Sequence, residues 1–254
     1  MKPLITLISD WRLRDPYLSM FKGQLLSAIP DVTILDITHQ VDFFDVAQTA
    51  FLMRQSYSSF PVGTIHLLLT NATHTSTFNP VVVEKDGHYF VGENNGIFLL
   101  MFPSENLSNI RQYAGNENRA LSKMVSISKY LIENKIEKNS TALDSLTKLF
   151  VQMPYDNIFE RKIEGSVIYI DAYFNAITNI PVEMFRKAIQ NGIVDAEISS
   201  ASKWKILKVV CKYDNFNEMC FIENALGCME ITIGQGKAAA LADLQVGDQV
   251  TISY

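Results

Sequence analysis

Apolar positions open the chain as a compact run, Leu4–Ile8, that stops at Ser9-Asp10, as a buried strand does. From Asp15 to Ala28 the spacing changes to Leu18, Phe21, Leu25 and Leu26, which predicts a helix. Pro30 ends it, because proline lacks the amide hydrogen and disfavours helix at the residue before it. Val32–Ile37 reads as a second buried strand. Phe44–Ser56 reads as a second helix, with Val46, Ala47, Ala50, Phe51 and Arg54 at helical spacing. After Pro61-Val62-Gly63 comes a third strand, Ile65–Leu69. Pro80–Glu84 and Tyr89–Val91 form a hairpin around Lys85-Asp86-Gly87. Strands alternating with helices of this length predict a mostly parallel sheet with flanking helices.

Between Phe102 and Phe159 the pattern turns polar and helical, with Leu121–Asn134 and Leu143–Phe150 as the helix candidates. Pro154, Asp156 and Asn157 then break it. Beyond them Val167–Ile170 reads as a strand and Val182–Asn191 as a helix. Ile206–Lys212, Met219–Glu223, Cys228–Ile233 and Gln249–Ser253 are short strands with Gly, Asn and Asp turns between them. That density predicts a small all-β, barrel-like module. The expected fold class is therefore α/β: an N-terminal domain over residues 1–160 and a small C-terminal β domain over 161–254.

Composition narrows the function classes. At 254 residues the chain buries a core without metal or disulfide staples. A net charge of −5 argues against general nucleic-acid binding, which needs cations to displace counterions from phosphate. The three cysteines, Cys211, Cys220 and Cys228, are odd in number and lack CxxC spacing, so neither a disulfide framework nor a zinc site is expected. Free thiols suit a reducing compartment. No segment approaches the roughly 20 apolar residues of a membrane span, and the expectation is a cytoplasmic protein without membrane partners.

Ligands of an open parallel sheet bind at the carboxyl ends of its strands. That singles out Ser9-Asp10, Thr38-His39 and Asn71–Thr77. Asp10 fits a ribose diol, since a carboxylate only accepts and a diol offers two donors; it fits equally as the cap of a turn. His66, inside an apolar strand, reads as a core histidine. His74 lies among the hydroxyls of Thr73, Thr75, Ser76 and Thr77, a loop able to hold an anion or to lie solvated on the surface. No glycine-rich phosphate loop follows the first strand and no GxSxG elbow is present. Asp171–Ile180 places an acid, two aromatics and two amides on one stretch, which suits a purine or a packed linker.

In order along the chain, these residues resemble the S-adenosylmethionine hydroxide adenosyltransferase family, which includes the fluorinases and chlorinases. Its TDFG corresponds to Ser9-Asp10-Trp11-Arg12, with Asp15-Pro16-Tyr17 and Lys22-Gly23 following. Its D-I-x-H is Asp36–His39, followed by an acid like Asp45. Its F-P-x-G-T-x-H is Phe60–His66, and its P-D-N-G appears as Glu93-Asn94-Asn95-Gly96. Its D-x-F-G-N-x-x-T-N-I appears as Asp171–Ile180 and its N-S-x-G-x-L-E-I as Asn224–Ile231. The resemblance implies S-adenosylmethionine as ligand and no further cofactor. It also implies homotrimers whose site lies between one subunit's N-terminal domain and a neighbour's C-terminal domain. By the same resemblance Asp10 holds the ribose hydroxyls, Asn95, Asp171, Tyr173 and Asn175 lie near the ligand, Tyr213 packs on adenine, and Asn224 belongs to the adenine-edge loop.

The departures concern the reaction. Hydrolytic relatives hold the attacking water with an Asp–Arg–His set in D-P-G-V-G-x-x-R-R and H-G-R-D. Here Asn71 stands for the Asp, Phe78 for the Arg, and no histidine follows His88. An amide does not ionise, so Asn71 is no base and stays a binding candidate. Halogenating relatives also lack the set, but carry a Tyr where this chain has Asn71. Three functions follow: hydrolysis to adenosine and methionine with His74 or Glu117 placing the water, binding without turnover, or use of a halide. Fold analogy supports the ligand more than the reaction.

Overall fold

A computed structural model describes residues 2–72, 78–102, 107–189, 195–199, 204–206, 208–210 and 218–254. The chain forms two compact units, Met1–Phe150 and Val151–Tyr254. Residues 151–160 fall in the second unit because Tyr155–Asn157 pairs with Lys162–Glu164, whereas the sequence placed the division at 160.

The first unit contains β1 (Leu4–Ile8), α1 (Tyr17–Ala28), β2 (Thr33–Thr38), α2 (Val46–Ser56), β3 (Ile65–Leu68), β4 (Pro80–Lys85) and β5 (His88–Glu93). It continues with α3 (Ile97–Met101), β6 (Ser108–Tyr113), α4 (Ala120–Ile132) and β7 (Ser140–Ala142). Its sheet has the order β2-β1-β3-β5-β4-β6-β7. The pairs β2–β1, β1–β3 and β3–β5 are parallel. β4 and β7 run against the other five strands. Side-chain alternation splits each central strand between two cores. Ile5 and Leu7 pack with Leu18, Phe21 and Leu25 of α1 and with Met124 and Ile127 of α4. Ile8, Leu68 and Phe90 pack with Ala50 and Met53 of α2 and with Phe98 and Met101 of α3. Both faces are thus covered by helices.

Four sequence expectations need correction. β2 is not buried: it lies at the sheet edge, and Leu35 is 45% exposed. Leu26 of α1 is exposed. α2 turns Thr49, Ala50 and Met53 inward and leaves Ala47 and Arg54 out; the Thr49 hydroxyl is satisfied inside by the Thr70 hydroxyl at 2.6 Å. Leu143–Phe150 is not a helix. Leu143 and Leu146 pack on the α2–α3 core from an irregular segment, anchored by Leu143 N–H to Ile110 O and Thr147 N–H to Asn94 Oδ1.

The second unit contains β8 (Tyr155–Asn157), β9 (Lys162–Ile170), β10 (Ala176–Pro181), α5 (Val182–Ile189), β11 (Asp195–Ser199), β12 (Trp204–Ile206) and β13 (Lys208–Val210). Then come β14 (Met219–Glu223), β15 (Cys228–Ile233), α6 (Ala238–Leu241) and β16 (Gln249–Ser253). The strand path is β12-β11-β16-β9-β10-β15-β14-β13, with β8 added beside β9. Its two end strands, β12 and β13, are separated by one residue in the chain, so the sheet curls back on itself in the barrel-like manner expected. Phe185, Phe221, Ile231 and Ile252 fill its core. The expected strand Ile206–Lys212 is divided between β12 and β13, and Cys211 lies outside the described residues.

Candidate functional site

β1 leads by way of α1 to β2 on one side of it, and β2 leads by way of α2 to β3 on the other. The strand order therefore reverses between β1 and β3, and the crevice at their carboxyl ends is where an open α/β sheet binds ligands. Asp10 follows β1 and Asn71 follows β3, so the two flank that crevice.

Asp10 is 5% exposed. Its Oδ2 accepts the backbone N–H of Phe44 at 2.9 Å and of Asn71 at 3.3 Å. Both donors sit at left-handed φ, 64° and 57°, as does Arg12 at 61°. Among the described residues no partner is found for Oδ1. The carboxylate is thus oriented through one oxygen and offers the other as an acceptor, which matches a pair of hydroxyl donors. Asn71 meets Asp10 through its peptide group. Arg12 bonds Gln40 through both its backbone oxygen and Oε1, and also meets Asp42 Oδ1, which ties the Asp10 turn to the loop before α2.

Behind the turn, Ser9 Oγ and His39 Nδ1 are 2.7 Å apart. His39 Nε2 stands 3.1 Å from Asp36 Oδ1, off the line of a straight N–H···O bond. Asp36 Oδ2 meets Lys22 Nζ at 2.6 Å. Burial pushes the Asp36 carboxyl up, but Lys22 and His39 outweigh it and hold it below the usual range.

The Glu93–Gly96 turn follows β5, at the same end of the sheet. Asn95 Oδ1 accepts Ile97 N–H at 3.3 Å, so Asn95 also serves the start of α3. Burial raises the Glu93 carboxyl. Glu117 precedes α4, and its Oε1 accepts the Tyr113 hydroxyl at 2.8 Å. Burial pushes its carboxyl up; Ser126, the Glu117 backbone, Tyr113 and the Lys123 charge together bring it below the usual value. Glu117 is therefore a hydrogen-bonded carboxylate. His74 and Tyr213 lie outside the described residues.

The second unit gathers four expected residues. Asp171 Oδ1 accepts Tyr173 N–H at 2.9 Å and Asn175 N–H at 2.8 Å, and its Oδ2 accepts Asn175 Nδ2 at 3.1 Å. This Asx turn joins β9 to β10 and leaves Tyr173 78% exposed. Asn175 Oδ1 accepts the Thr232 hydroxyl at 2.7 Å. Asn224 Oδ1 accepts Leu226 N–H and Cys228 N–H, and its Nδ2 donates to Glu230 Oε2 at 3.2 Å.

Glu230 is the residue that sequence reasoning missed. It is 8% exposed, and burial with the nearby Asp171 charge raises its carboxyl against the Asn224 bond. Its position within Asn224–Ile231 was a signal. Alternation with Met229 and Ile231 made it look solvent-facing.

Among the described residues no group of His, Cys, Asp and Glu could hold a metal ion, and no helix is long and apolar enough to cross a membrane. A cavity of about 170 Å³, lined in part by Glu84, Tyr89 and Arg111, contains none of these residues.

Known proteins locate the chain among its relatives. The profile of the SAM hydroxide adenosyltransferase N-terminal domain matches residues 5–138, and that of the C-terminal domain matches residues 165–251. The chain belongs to the SAM hydroxide adenosyltransferase family. It is similar to a protein of Methanocaldococcus jannaschii named (R)-S-adenosyl-L-methionine hydrolase, 26% identical over 99% of this chain and 96% of the relative. A fluorinase of Nocardia brasiliensis is 33% identical over 32% of this chain and 27% of its own length. A crystal structure of an uncharacterised conserved protein from Thermotoga maritima, 20% identical, covers 98% of this chain and 100% of its own at a TM-score of 0.84, which shows the shared fold.

Proposed function

We propose that this SAM hydroxide adenosyltransferase family member binds S-adenosylmethionine and cleaves it with water at ribose C5′, giving adenosine and methionine. The observation that carries the reading is Asp10. It is a buried carboxylate at the switch point of the sheet, with one oxygen fixed by two peptide N–H groups and the other offered to a diol. The hydrolase similarity over nearly the whole chain supports the ligand and the water.

In the proposed reaction, water oxygen forms a bond to C5′ as the C5′–S bond breaks. The bonding pair leaves with sulfur as the neutral thioether of methionine, and the proton lost by the attacking water is released to solvent. A sulfonium is a strong leaving group, so the protein's task is to orient the water and ribose and exclude bulk solvent. Asp10 orients the ribose. Asp171, Tyr173, Asn175, Asn224 and Tyr213 are proposed for the rest of the ligand, and Asn71 and Asn95 for the rim near Asp10. His74 and Glu117 are proposed to place the water. No cofactor is invoked.

We also propose a cytoplasmic homotrimer in which a neighbour's C-terminal unit completes the site. The apolar residues beside the Asp10 turn support this: Leu13 is 71% exposed, Phe43 64% and Phe44 63%, and exposed apolar groups of this kind mark interaction surfaces.

A second reading is binding without turnover. It is favoured by Asn71, Phe78 and the lack of a histidine beyond His88, which leave the hydrolytic set unfilled. Halide use is the least supported, since Asn71 stands where halogenating relatives carry Tyr. Incubation with S-adenosylmethionine, chromatography and a parallel thermal melt separate the readings. Time-dependent adenosine and methionine, lost in Asp10→Ala, are the expected result. A raised melting temperature without product supports binding alone, and neither effect overturns both readings.

A further inference from the structure

Four polar side chains behind Asp10 have no part in the proposed reaction. Lys22 of α1 meets Asp36 of β2, Asp36 meets His39 Nε2, and His39 Nδ1 meets Ser9 Oγ. Ser9 is fully buried and His39 is 4% exposed. Ser9 immediately precedes Asp10, and its Oγ also accepts Trp11 N–H at 3.3 Å. The backbone repeats the pattern: Ser9 N–H bonds Thr38 O at 3.1 Å and Arg12 N–H bonds His39 O at 2.9 Å. The turn is gripped on both sides of Asp10 by the residues that end β2.

The charges assign the protons. The Asp36 carboxylate, held ionised by Lys22, faces Nε2 and favours a proton there. With that proton on Nε2, Nδ1 faces the Ser9 hydroxyl as an acceptor at 2.7 Å. A Ser–His–Asp series otherwise suggests a nucleophile. Here the hydroxyl is buried, its hydrogen is committed to His39, and one lone pair is taken by Trp11 N–H, so it reaches no ligand.

We propose that His39 is a positioning residue for Asp10. The Lys22–Asp36–His39 series sets the tautomer that locks Ser9, and Ser9 fixes the backbone from which Asp10 presents Oδ1 to a ribose diol. The ligand side of this proposal rests on the nucleoside reading above; the geometric side does not.

Two experiments on the full chain separate them. The first is hydrogen exchange of the ligand-free protein at the Phe44 and Asn71 amides, the two donors to Asp10. Ser9→Ala and His39→Gln, which keeps a group toward Asp36 but not toward Ser9, are expected to speed exchange at both amides about tenfold, the scale of one charge-assisted hydrogen bond. His39→Asn, whose amide reaches the Nδ1 position, is expected to restore most of the protection. Unchanged exchange in Ser9→Ala and His39→Gln overturns the proposal. So does an equal rise throughout β1 and β3, which is a general loss of stability.

The second is calorimetry with adenosine and 2′,3′-dideoxyadenosine. The unaltered protein is expected to favour adenosine at least about tenfold. Ser9→Ala is expected to shrink that ratio severalfold while dideoxyadenosine binding stays within about twofold. A ratio unmoved by Ser9→Ala overturns the positioning role. If the unaltered protein shows no preference, the nucleoside reading falls, and the exchange experiment alone decides the positioning role.

Discussion

Asp10 is oriented by peptide N–H groups, and two of the three left-handed residues around it, Phe44 and Asn71, supply them. Non-glycine residues in that region are strained by about 1–3 kcal/mol each and collect at functional sites. Removing the carboxylate therefore costs twice. Asp10→Ala is expected to weaken adenosine binding about 10- to 150-fold, from the 1.5–3 kcal/mol of a charged hydrogen bond. It is also expected to lower the melting temperature by leaving two amides unpaired. Asp10→Asn, which keeps one oxygen acceptor, is expected to fall between, and calorimetry checks both. A second residue-scale consequence concerns acid. His66 is fully buried, its Nδ1 2.7 Å from the Thr6 hydroxyl and its Nε2 3.1 Å from His88 Nδ1. Burial first, and then His88, depress it to about 3. The unfolded chain takes up a proton below about 6.5 that the fold refuses. This contribution is complete above about 6.5 and is lost as pH falls toward 3. Burial depresses His88 as well. The melting temperature is expected to drop steadily from pH 7 to pH 4. A flat profile across that range contradicts the assignment.

At the scale of elements, the turns of the second unit depend on single side chains. Asn224 holds the β14–β15 turn through two peptide N–H groups and Glu230, with Gly227 at φ 77°. Asn224→Ala is expected to destabilise the protein by about 1–3 kcal/mol, since two amides and a buried carboxyl lose their partner; a denaturant titration reads it. This also shows what the sequence could convey. β1, β3 and the β4–β5 hairpin were legible because continuous apolar runs end in turn residues. Leu143–Phe150 misled because Leu143 and Leu146 are three apart, and a segment draped over one side of a core yields the same spacing as a helix. β10 was missed because Asp171–Ile180 reads as a ligand-facing stretch or a packed linker. Asn179 Oδ1 instead accepts Ser166 N–H at 2.8 Å beside a shift in strand register, and Thr178 Oγ1 donates to Met229 O. The Asp10 crevice and the Asp171–Asn175 turn were legible as motifs. Glu230 lay in such a motif, but its burial was not legible, because it depends on Asn224, six residues away.

At the scale of the whole molecule, both family domains are present in order, and the Methanocaldococcus jannaschii hydrolase aligns along nearly the entire chain. The exposed Leu13, Phe43 and Phe44 beside Asp10 then carry an expectation about assembly. Light scattering on the purified protein is expected to give three times the 28.7 kDa chain mass, and a monomer contradicts the proposed shared site. In the proposed reaction water attacks ribose C5′. The direct measurement is mass spectrometry of the nucleoside formed from S-adenosylmethionine in ¹⁸O-enriched water. Enzyme-dependent adenosine carrying one ¹⁸O at the 5′ oxygen is the expected product. Binding without any nucleoside product, or a product that carries no ¹⁸O at that position, contradicts it.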